Sequence, residues 1–238
     1  MMHYGYEIEN ELFWKGIKNG WEKESMKLWM QLCLESTTIF DIGANTGIYS
    51  LSAKTVNPNA TVYAFEPVLR VYKKLVSNCL LNNYDINCFQ QALSNDNGKA
   101  TIYDLPTEHT LSVTVNKDLT PENTKSIPTE VNIVKLSSFI EEHRITEIDL
   151  MKIDVETHEV EVLEGFEGFL KAFQPTFLIE ILNDEIAQSI QNILSNYSYL
   201  YFNIDEKKGI SKVKKLTKSH YYNFLICKEN VANKLKLI

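Results

Sequence analysis

The sequence predicts an α/β fold on a doubly wound, mostly parallel sheet, and three observations predict it. The run Ile39-Phe40-Asp41-Ile42 is apolar and β-type, breaks into Gly43-Ala44-Asn45-Thr46-Gly47, and passes into a helical pattern from Ile48 to Ala53. Strand-like and helix-like runs then alternate along most of the chain, the signature of βαβ units. Finally, Ile148-Asp149-Leu150-Met151-Lys152-Ile153 and Thr176 to Leu182 are apolar enough to suit strands covered on both faces.

Each element has its own signal. Residues 8 to 35 read as helical, with Phe13, Ile17 and Trp21 at four-residue steps and a second stripe of Met26, Trp29, Met30 and Cys33. This gives an N-terminal helical layer or lid over 1–36, ahead of the main domain over 37–238. The first strand spans about 38–42, and its helix, about 46–56, is stopped by Asn57-Pro58-Asn59. A second strand over 61–66 precedes a helix from Val68 to Leu81, and a third strand runs over 86–92. Ser94 to Gly98 reads as a turn into a strand from Ala100 to Tyr103. Residues 104–130 break the rhythm: they are rich in Thr, Pro, Asn and Ser, carry the strand-like piece Leu111 to Val115, and read as a substrate-facing insertion. His109 lies within that insertion and is assigned no role. Asn132 to Lys135 and a short helix from Ser138 to Glu142 lead into the strand over 148–153. After the break at Pro175 come the strand to Leu182, a helix over 184–195, and strands Tyr199–Ile204 and Tyr221–Cys227. Lys207, Lys208, Lys212, Lys214, Lys215 and Lys218 between the last two read as a solvated turn between edge strands.

Bulk properties exclude several classes. The chain has 238 residues, 44% hydrophobic and 23% charged, which is ordinary for a folded domain with a well-buried core. A net charge of −7 argues against nucleic acid as the primary partner. No apolar run approaches a membrane span, and the N-terminus lacks a signal-peptide core. Cys33, Cys79, Cys88 and Cys227 are scattered and read as reduced thiols of a cytoplasmic protein. Nothing in the pattern fixes an oligomeric state.

The glycine turn carries the chemistry. Glycine lets the backbone approach a ligand closely, and the following helix presents unpaired amides. Dinucleotide sites show G-x-G-x-x-G, whereas this loop is D-x-G-x-N-x-G, with Asp41 at the strand end. A carboxylate there would repel a pyrophosphate but suits a cofactor carrying an ammonium and a sulfonium, which favours S-adenosylmethionine. The next strand ends at Glu66-Pro67, where an acid is placed to accept hydrogen bonds from both ribose hydroxyls. Asp41 and Asp154 end neighbouring strands and Glu66 ends the strand on the other side, so the three acids are expected to line one pocket although more than 100 residues separate the first from the last of them.

With Phe40 to Gly47, Ala64-Phe65-Glu66-Pro67, Ala92-Leu93-Ser94, Lys152-Ile153-Asp154-Val155-Glu156-Thr157-His158-Glu159 and Phe177-Leu178-Ile179-Glu180 in view, the chain resembles the FkbM-type S-adenosylmethionine-dependent methyltransferases over roughly residues 10 to 182. The resemblance implies a Rossmann-like class I methyltransferase fold, with the last strand inserted antiparallel near the far edge of the sheet. It implies that Asp41, Gly43, Ala44, Asn45, Gly47, Glu66, Pro67 and Asp154 bind the cofactor, and that the acceptor is a small molecule or glycan. Two positions depart from the family pattern: Thr157 stands where glycine is usual, and Ser137 where aspartate is common.

Methyl transfer from a sulfonium to a hydroxyl needs oriented reactants and a group that takes the proton. His158, four residues past Asp154, is the candidate base, with Asp154 orienting it, holding the acceptor or contacting the cofactor. Asp154 and His158 are thus the expected catalytic pair, with Glu156 and Glu159 as further acids nearby. A magnesium ion on the aspartates, Glu156 and His158 is an alternative, since hard oxygen ligands fit it, and Glu180 is read as an acid behind the site or a substrate contact. The expectation is O-methylation of a sugar, polysaccharide precursor or natural product. Alternatives are a module that binds the cofactor without chemistry, suggested by Thr157, and an NAD-linked oxidoreductase, which the missing G-x-G-x-x-G disfavours.

Overall fold

A computed structural model describes residues 7–20, 22–104 and 127–238. His109, the strand-like piece Leu111 to Val115, most of the insertion and Trp21 lie outside the described residues.

The N-terminal helical stretch is divided into α1 (Glu7–Lys15), a 3₁₀ turn (Ile17–Asn19) and α2 (Lys23–Cys33). The break falls at Gly16 and Gly20, the first with φ 70°, where a continuous helix loses its propensity. The main sheet begins with β1 (Thr38–Ile42), α3 (Ile48–Val56), β2 (Thr61–Phe65), α4 (Leu69–Leu81) and β3 (Asn87–Phe89). A small second sheet follows, from β4 (Ala92–Ser94), β5 (Gly98–Asp104) and β6 (Ile127–Lys135), in the order β4-β6-β5. The main sheet resumes through α5 (Leu136–Glu142), β7 (Leu150–Ile153), α6 (Glu159–Gly165), α7 (Glu167–Phe173), β8 (Thr176–Glu180) and α8 (Asp184–Leu194). It closes with β9 (Leu200–Asp205), β10 (Gly209–Val213), β11 (Asn223–Cys227) and α9 (Glu229–Lys234).

The eight strands lie in the order β10-β9-β11-β8-β7-β1-β2-β3. Strands β3, β2, β1, β7 and β8 are parallel neighbours, and β11 inserts antiparallel between β8 and β9. Strand order therefore reverses beside β1, and the crevice between β1 and β7 opens at their carboxyl ends. This is the doubly wound, mostly parallel sheet that the sequence predicts, with the last strand inserted antiparallel.

Side-chain parity sorts the buried residues of each strand onto two faces. Phe40 and Ile42 of β1, Met151 and Ile153 of β7, and Phe177 and Ile179 of β8 pack into one core with Phe65 and Phe139. Ile39, Leu150 and Leu178 join Trp29, Cys33 and Tyr49 in the other. Asp41, Lys152 and Glu180 share the parity of this second group, so all three belong to the face covered by α2 and α3. Helix α2 buries Met26, Leu28, Trp29, Leu32 and Cys33, an i, i+3, i+4 stripe, and Trp29 Nε1 donates to the Tyr49 carbonyl at 2.9 Å. Among the described residues no helix is long and apolar enough to cross a membrane.

Two sequence expectations are corrected here. The strand expected over 86–92 is two strands in different sheets: β3 pairs with β2, and β4 pairs with β6. The local pattern is β-type throughout, and only the change of partner divides it. The lysine-rich segment is more than a turn, because it contains the edge strand β10, and β11 is an interior strand.

Candidate active site

A cleft of about 470 Å³ opens at the carboxyl ends of β1, β2, β7 and β8. Its first wall is the glycine turn. The amides of Gly43 and Ala44 donate to the Phe65 carbonyl at 3.1 and 2.9 Å, tying the turn to the end of β2. Gly43 has φ 83°, and a Cβ there would lie 1.9 Å from the Asp154 carbonyl oxygen, so the close approach of β1 to β7 requires glycine. Gly47, at φ 96°, starts α3 where a Cβ would meet Leu75 at 2.6 Å. Glu66 Oε2 accepts from the Asn45 amide at 3.1 Å and Oε1 from the Val68 amide at 2.8 Å. Its carboxylate is thereby fixed at the rim, between the glycine turn and α4.

The structure places the expected cofactor residues in two sets. Gly43, Ala44, Asn45, Glu66, Pro67 and Asp154 line the cleft. Asp41 and Gly47 are not among the lining residues and stand behind the turn. Asp41 is fully buried, and its Oδ2 accepts from the Ser50 amide at 2.9 Å and the Ser50 hydroxyl at 2.6 Å. Burial raises its pKa against the pull of Lys152 and Ser50. Of the three acids expected to share the pocket wall, Glu66 and Asp154 line it and Asp41 does not, because its carboxylate is held by the amide and hydroxyl of Ser50 on α3.

The second wall is acidic. Carboxylate oxygens of Asp154, Glu156 and Glu180 lie within 4.8 Å of one another. Lys152, 3% exposed, places Nζ 2.6 Å from Asp154 Oδ2 and 4.4 Å from the centre of the Tyr49 ring. Burial opposes the charge on Lys152, but Asp154, Asp41 and Glu22 together outweigh it and raise its pKa. Burial pushes Glu180 up to about 10, helped by Asp154, Glu156 and Glu159, and its Oε2 is buried with no hydrogen-bond partner. Burial, then Asp154 and Glu159, pushes Glu156 up to about 8. Lys152 supplies a positive partner to this cluster through Asp154. His158, which the sequence reading grouped with a metal site, is not part of it.

The turn between β7 and α6 is strained. Glu156 has φ 54° and Thr157 φ 80°, two successive residues in the left-handed region, the second β-branched. Glu159 is fully buried, and its Oε1 accepts from the amides of Val155 and Thr157, each at 3.2 Å. Burial raises Glu159 to about 7 against these bonds. His158 lines the cleft, but its Nε2 lies 3.0 Å from Ser94 Oγ and its Nδ1 3.5 Å from Glu161 Oε2. Burial lowers its pKa, so the ring is neutral near pH 7.

Several lining residues carry no local sequence signal. Glu22, before α2, accepts from Tyr49 Oη at 2.7 Å and from Asn223 Nδ2 at 2.8 Å. Glu206 caps α2 by accepting from the amides of Glu24 and Ser25 at 2.7 and 3.1 Å. His220, Tyr221 and Tyr222 give an aromatic edge whose backbone is pinned by Asn203 to the Tyr221 carbonyl and by the Ile181 amide to the Tyr222 carbonyl. Only spatial proximity unites these groups.

A glycine turn on one side of the β1–β7 crevice and an acid cluster on the other define a class I α/β methyltransferase architecture. The profile of the Methyltransferase FkbM domain matches residues 41–201, and the chain belongs to that family. It is 31% identical over 153 residues to 31-O-demethyl-FK506 methyltransferase FkbM of Streptomyces tacrolimicus, covering 54% of this chain and 59% of the relative. It is 23% identical over 151 residues to the hexuronic acid methyltransferase AglP of Haloferax volcanii, covering 63% and 59%. The match thus spans about three fifths of the length of these relatives. Among solved structures, the fold is similar to Methyltransferase FkbM from Methylobacillus flagellatus KT, with TM-score 0.52, 14% identity, and coverage of 80% of this chain and 43% of the other.

Proposed function

We propose that the protein transfers a methyl group from S-adenosylmethionine to a hydroxyl of a sugar, polysaccharide precursor or natural product. The observation that carries this reading is the two-walled cleft, with glycine turn and Glu66 on one side and Asp154, Glu156 and Glu180 on the other. Its volume, about 470 Å³, suits a nucleoside-sized ligand. Gly43, Ala44, Asn45 and Pro67 pack against the cofactor, and Glu66 accepts from its ribose hydroxyls. Asp41 and Gly47 shape the turn from behind. Asp154 faces the transferred methyl, where a carboxylate complements the sulfonium charge. The relatives named for 31-O-demethyl-FK506 and for a hexuronic acid support an oxygen acceptor.

Thermal unfolding with S-adenosylhomocysteine, NAD and ATP tests the reading. A ligand at 100 times its Kd stabilises by about 2.7 kcal/mol, so only S-adenosylhomocysteine is expected to raise Tm. Absence of that shift in folded protein removes the methyltransferase reading. A shift without turnover on a panel of sugars and natural-product alcohols favours a binding module, which the strained Thr157 backbone makes the specific second reading.

A further inference from the structure

We propose that Cys79 and Cys88 are a redox pair that closes to a disulfide under peroxide and loosens the glycine turn. The bridge stands on the geometry of the two thiols, and its effect on the cofactor rests on the methyl-transfer reading above.

The fold brings together two cysteines that look unrelated in the sequence. Cys79 stands in the last turn of α4 and Cys88 in the middle of β3, and their Sγ atoms lie 3.7 Å apart. A disulfide holds its sulfurs about 2.05 Å apart, so closure asks for a movement of about 1.7 Å. Cys33 and Cys227 are buried in the core beside α2, whereas Cys88 is only half-buried and gives the pair an opening. A hydrogen bond from the Cys88 thiol lowers the pKa of Cys79 against burial and Asp41, and the same bond raises that of Cys88. Cys79 is therefore the sulfur that ionises first, and Cys88 the one that resolves.

Each end of the bridge stands one residue from a bond that shapes the cofactor wall. Asn78, beside Cys79 and fully buried, donates from Nδ2 to the Thr46 carbonyl in the glycine turn at 2.8 Å. Leu75, one helical turn earlier, fills the space that a Cβ on Gly47 would need. Leu75 and Cys79 share a small core with Ala44 of the turn. Phe89, beside Cys88, accepts at its carbonyl from the Glu66 amide at 3.1 Å. Strand β3 is a three-residue edge strand whose partner is β2, so it and the end of α4 are freer to shift than the interior strands. Closing the sulfur gap moves the last turn of α4 against β3 and stretches the Asn78 bond to the turn.

The chemistry balances with a peroxide as oxidant. The Cys79 thiolate forms a bond to one peroxide oxygen as the O–O bond breaks, and the departing hydroxide takes up a proton to become water. The sulfenic acid left on Cys79 is attacked by the Cys88 sulfur. The S–S bond forms as the S–O bond breaks, and the hydroxyl leaves with the Cys88 proton as a second water. Two thiols are oxidised, one peroxide is reduced, and dithiothreitol reverses the product by thiol–disulfide exchange.

The test uses hydrogen peroxide on the wild type, Cys79→Ser and Cys88→Ser. No lysine or arginine lies between Lys74 and Lys99, so one tryptic peptide carries both cysteines. After treatment the wild-type peptide should be lighter by two hydrogens and resist alkylation, and dithiothreitol should restore it. Calorimetry with S-adenosylhomocysteine should show the oxidised wild type binding about 5- to 10-fold more weakly, the scale of one lost hydrogen bond. Reduction should recover the affinity, and Cys88→Ser should keep it throughout. Cysteines that stay open to alkylation, or a Cys79 carried to a sulfinic acid with no bridge, overturn the redox pair. A bridge that leaves the affinity unchanged overturns its link to the glycine turn. A reduced wild type that does not bind S-adenosylhomocysteine instead overturns the methyl-transfer reading, while the peptide masses still decide the bridge.

Discussion

The two walls of the cleft are built on opposite principles. On the glycine-turn side the contacts run largely to backbone, since Glu66 bridges the amides of Asn45 and Val68 and the turn donates to the Phe65 carbonyl, while behind the turn Asp41 Oδ1 is buried without a hydrogen-bond partner. On the β7–β8 side charge is crowded. Three carboxylates converge, one ammonium partners them, and Glu180 Oε2 and Glu159 Oε2 are buried without a hydrogen-bond partner. The first wall is tied down by hydrogen bonds, and in the second burial and neighbouring acids raise the carboxyls of Glu156, Glu159 and Glu180.

The largest expected effect breaks the satisfied wall. In Gly43→Ala the new Cβ would meet the Asp154 carbonyl at 1.9 Å in a backbone with φ 83°. Neither β1 nor β7 can move without disturbing the sheet that joins them. We expect a loss of about 4 kcal/mol in urea unfolding, the range reserved for backbone clash and strain, together with loss of S-adenosylhomocysteine binding. A variant of wild-type stability would mean that the two strands are not held as close as described.

A smaller effect probes the crowded wall through pH. Glu159, Glu156 and Glu180 are raised from 4.5 to about 7, 8 and 10. Between pH 4.5 and those values the folded chain keeps protons that the unfolded chain has released, so stability falls as pH rises through the window. The lowered His158 works the other way, but only below its ordinary 6.5. The expected outcome is a Tm several degrees lower at pH 8.5 than at pH 6.5, with a shallower slope in Glu180→Gln. A Tm that stays flat or climbs over that range contradicts the placement of these acids.

The same contrast explains what could be read in advance. The first wall is local: Gly43, Asn45 and Gly47 fall within five residues, and Glu66 closes the next strand, so turn chemistry and strand order disclose it. The central parallel strands were legible for the same reason, since a strand covered on both faces leaves a nearly continuous apolar run. The place of Asp41 at a strand end is visible in the sequence, but its withdrawal from the cleft depends on the bonds it makes to Ser50 of α3. The split of 86–92 and the strand β10 follow from partners chosen at a distance. The second wall sets Lys152, Asp154 and Glu156 from the end of β7 against Glu180 of β8, which no short window of sequence contains together. Its acids were visible, but their crowding appears only when β7, β8 and α6 converge.

The smallest effect concerns Thr157, and it sharpens the comparison most closely. At φ 80° a β-branched side chain occupies a region that favours glycine, so this chain carries strain at the position where the resemblance leads one to expect glycine. Thr157→Gly removes that strain, worth about 1–3 kcal/mol for a residue in such a region. The same change adds about 0.4–1 kcal/mol of chain entropy to the unfolded state. The net expectation is a gain of about 1 kcal/mol, read as a higher urea midpoint at unchanged slope. If Glu159 alone fixes the turn through the amides of Val155 and Thr157, turnover and the pH–rate profile should be unchanged, because glycine keeps the amide that Glu159 holds. If the profile moves while stability rises, the threonine itself helps to shape the turn beside the cleft, and the strain belongs to the site rather than to the chain's tolerance of a poor residue.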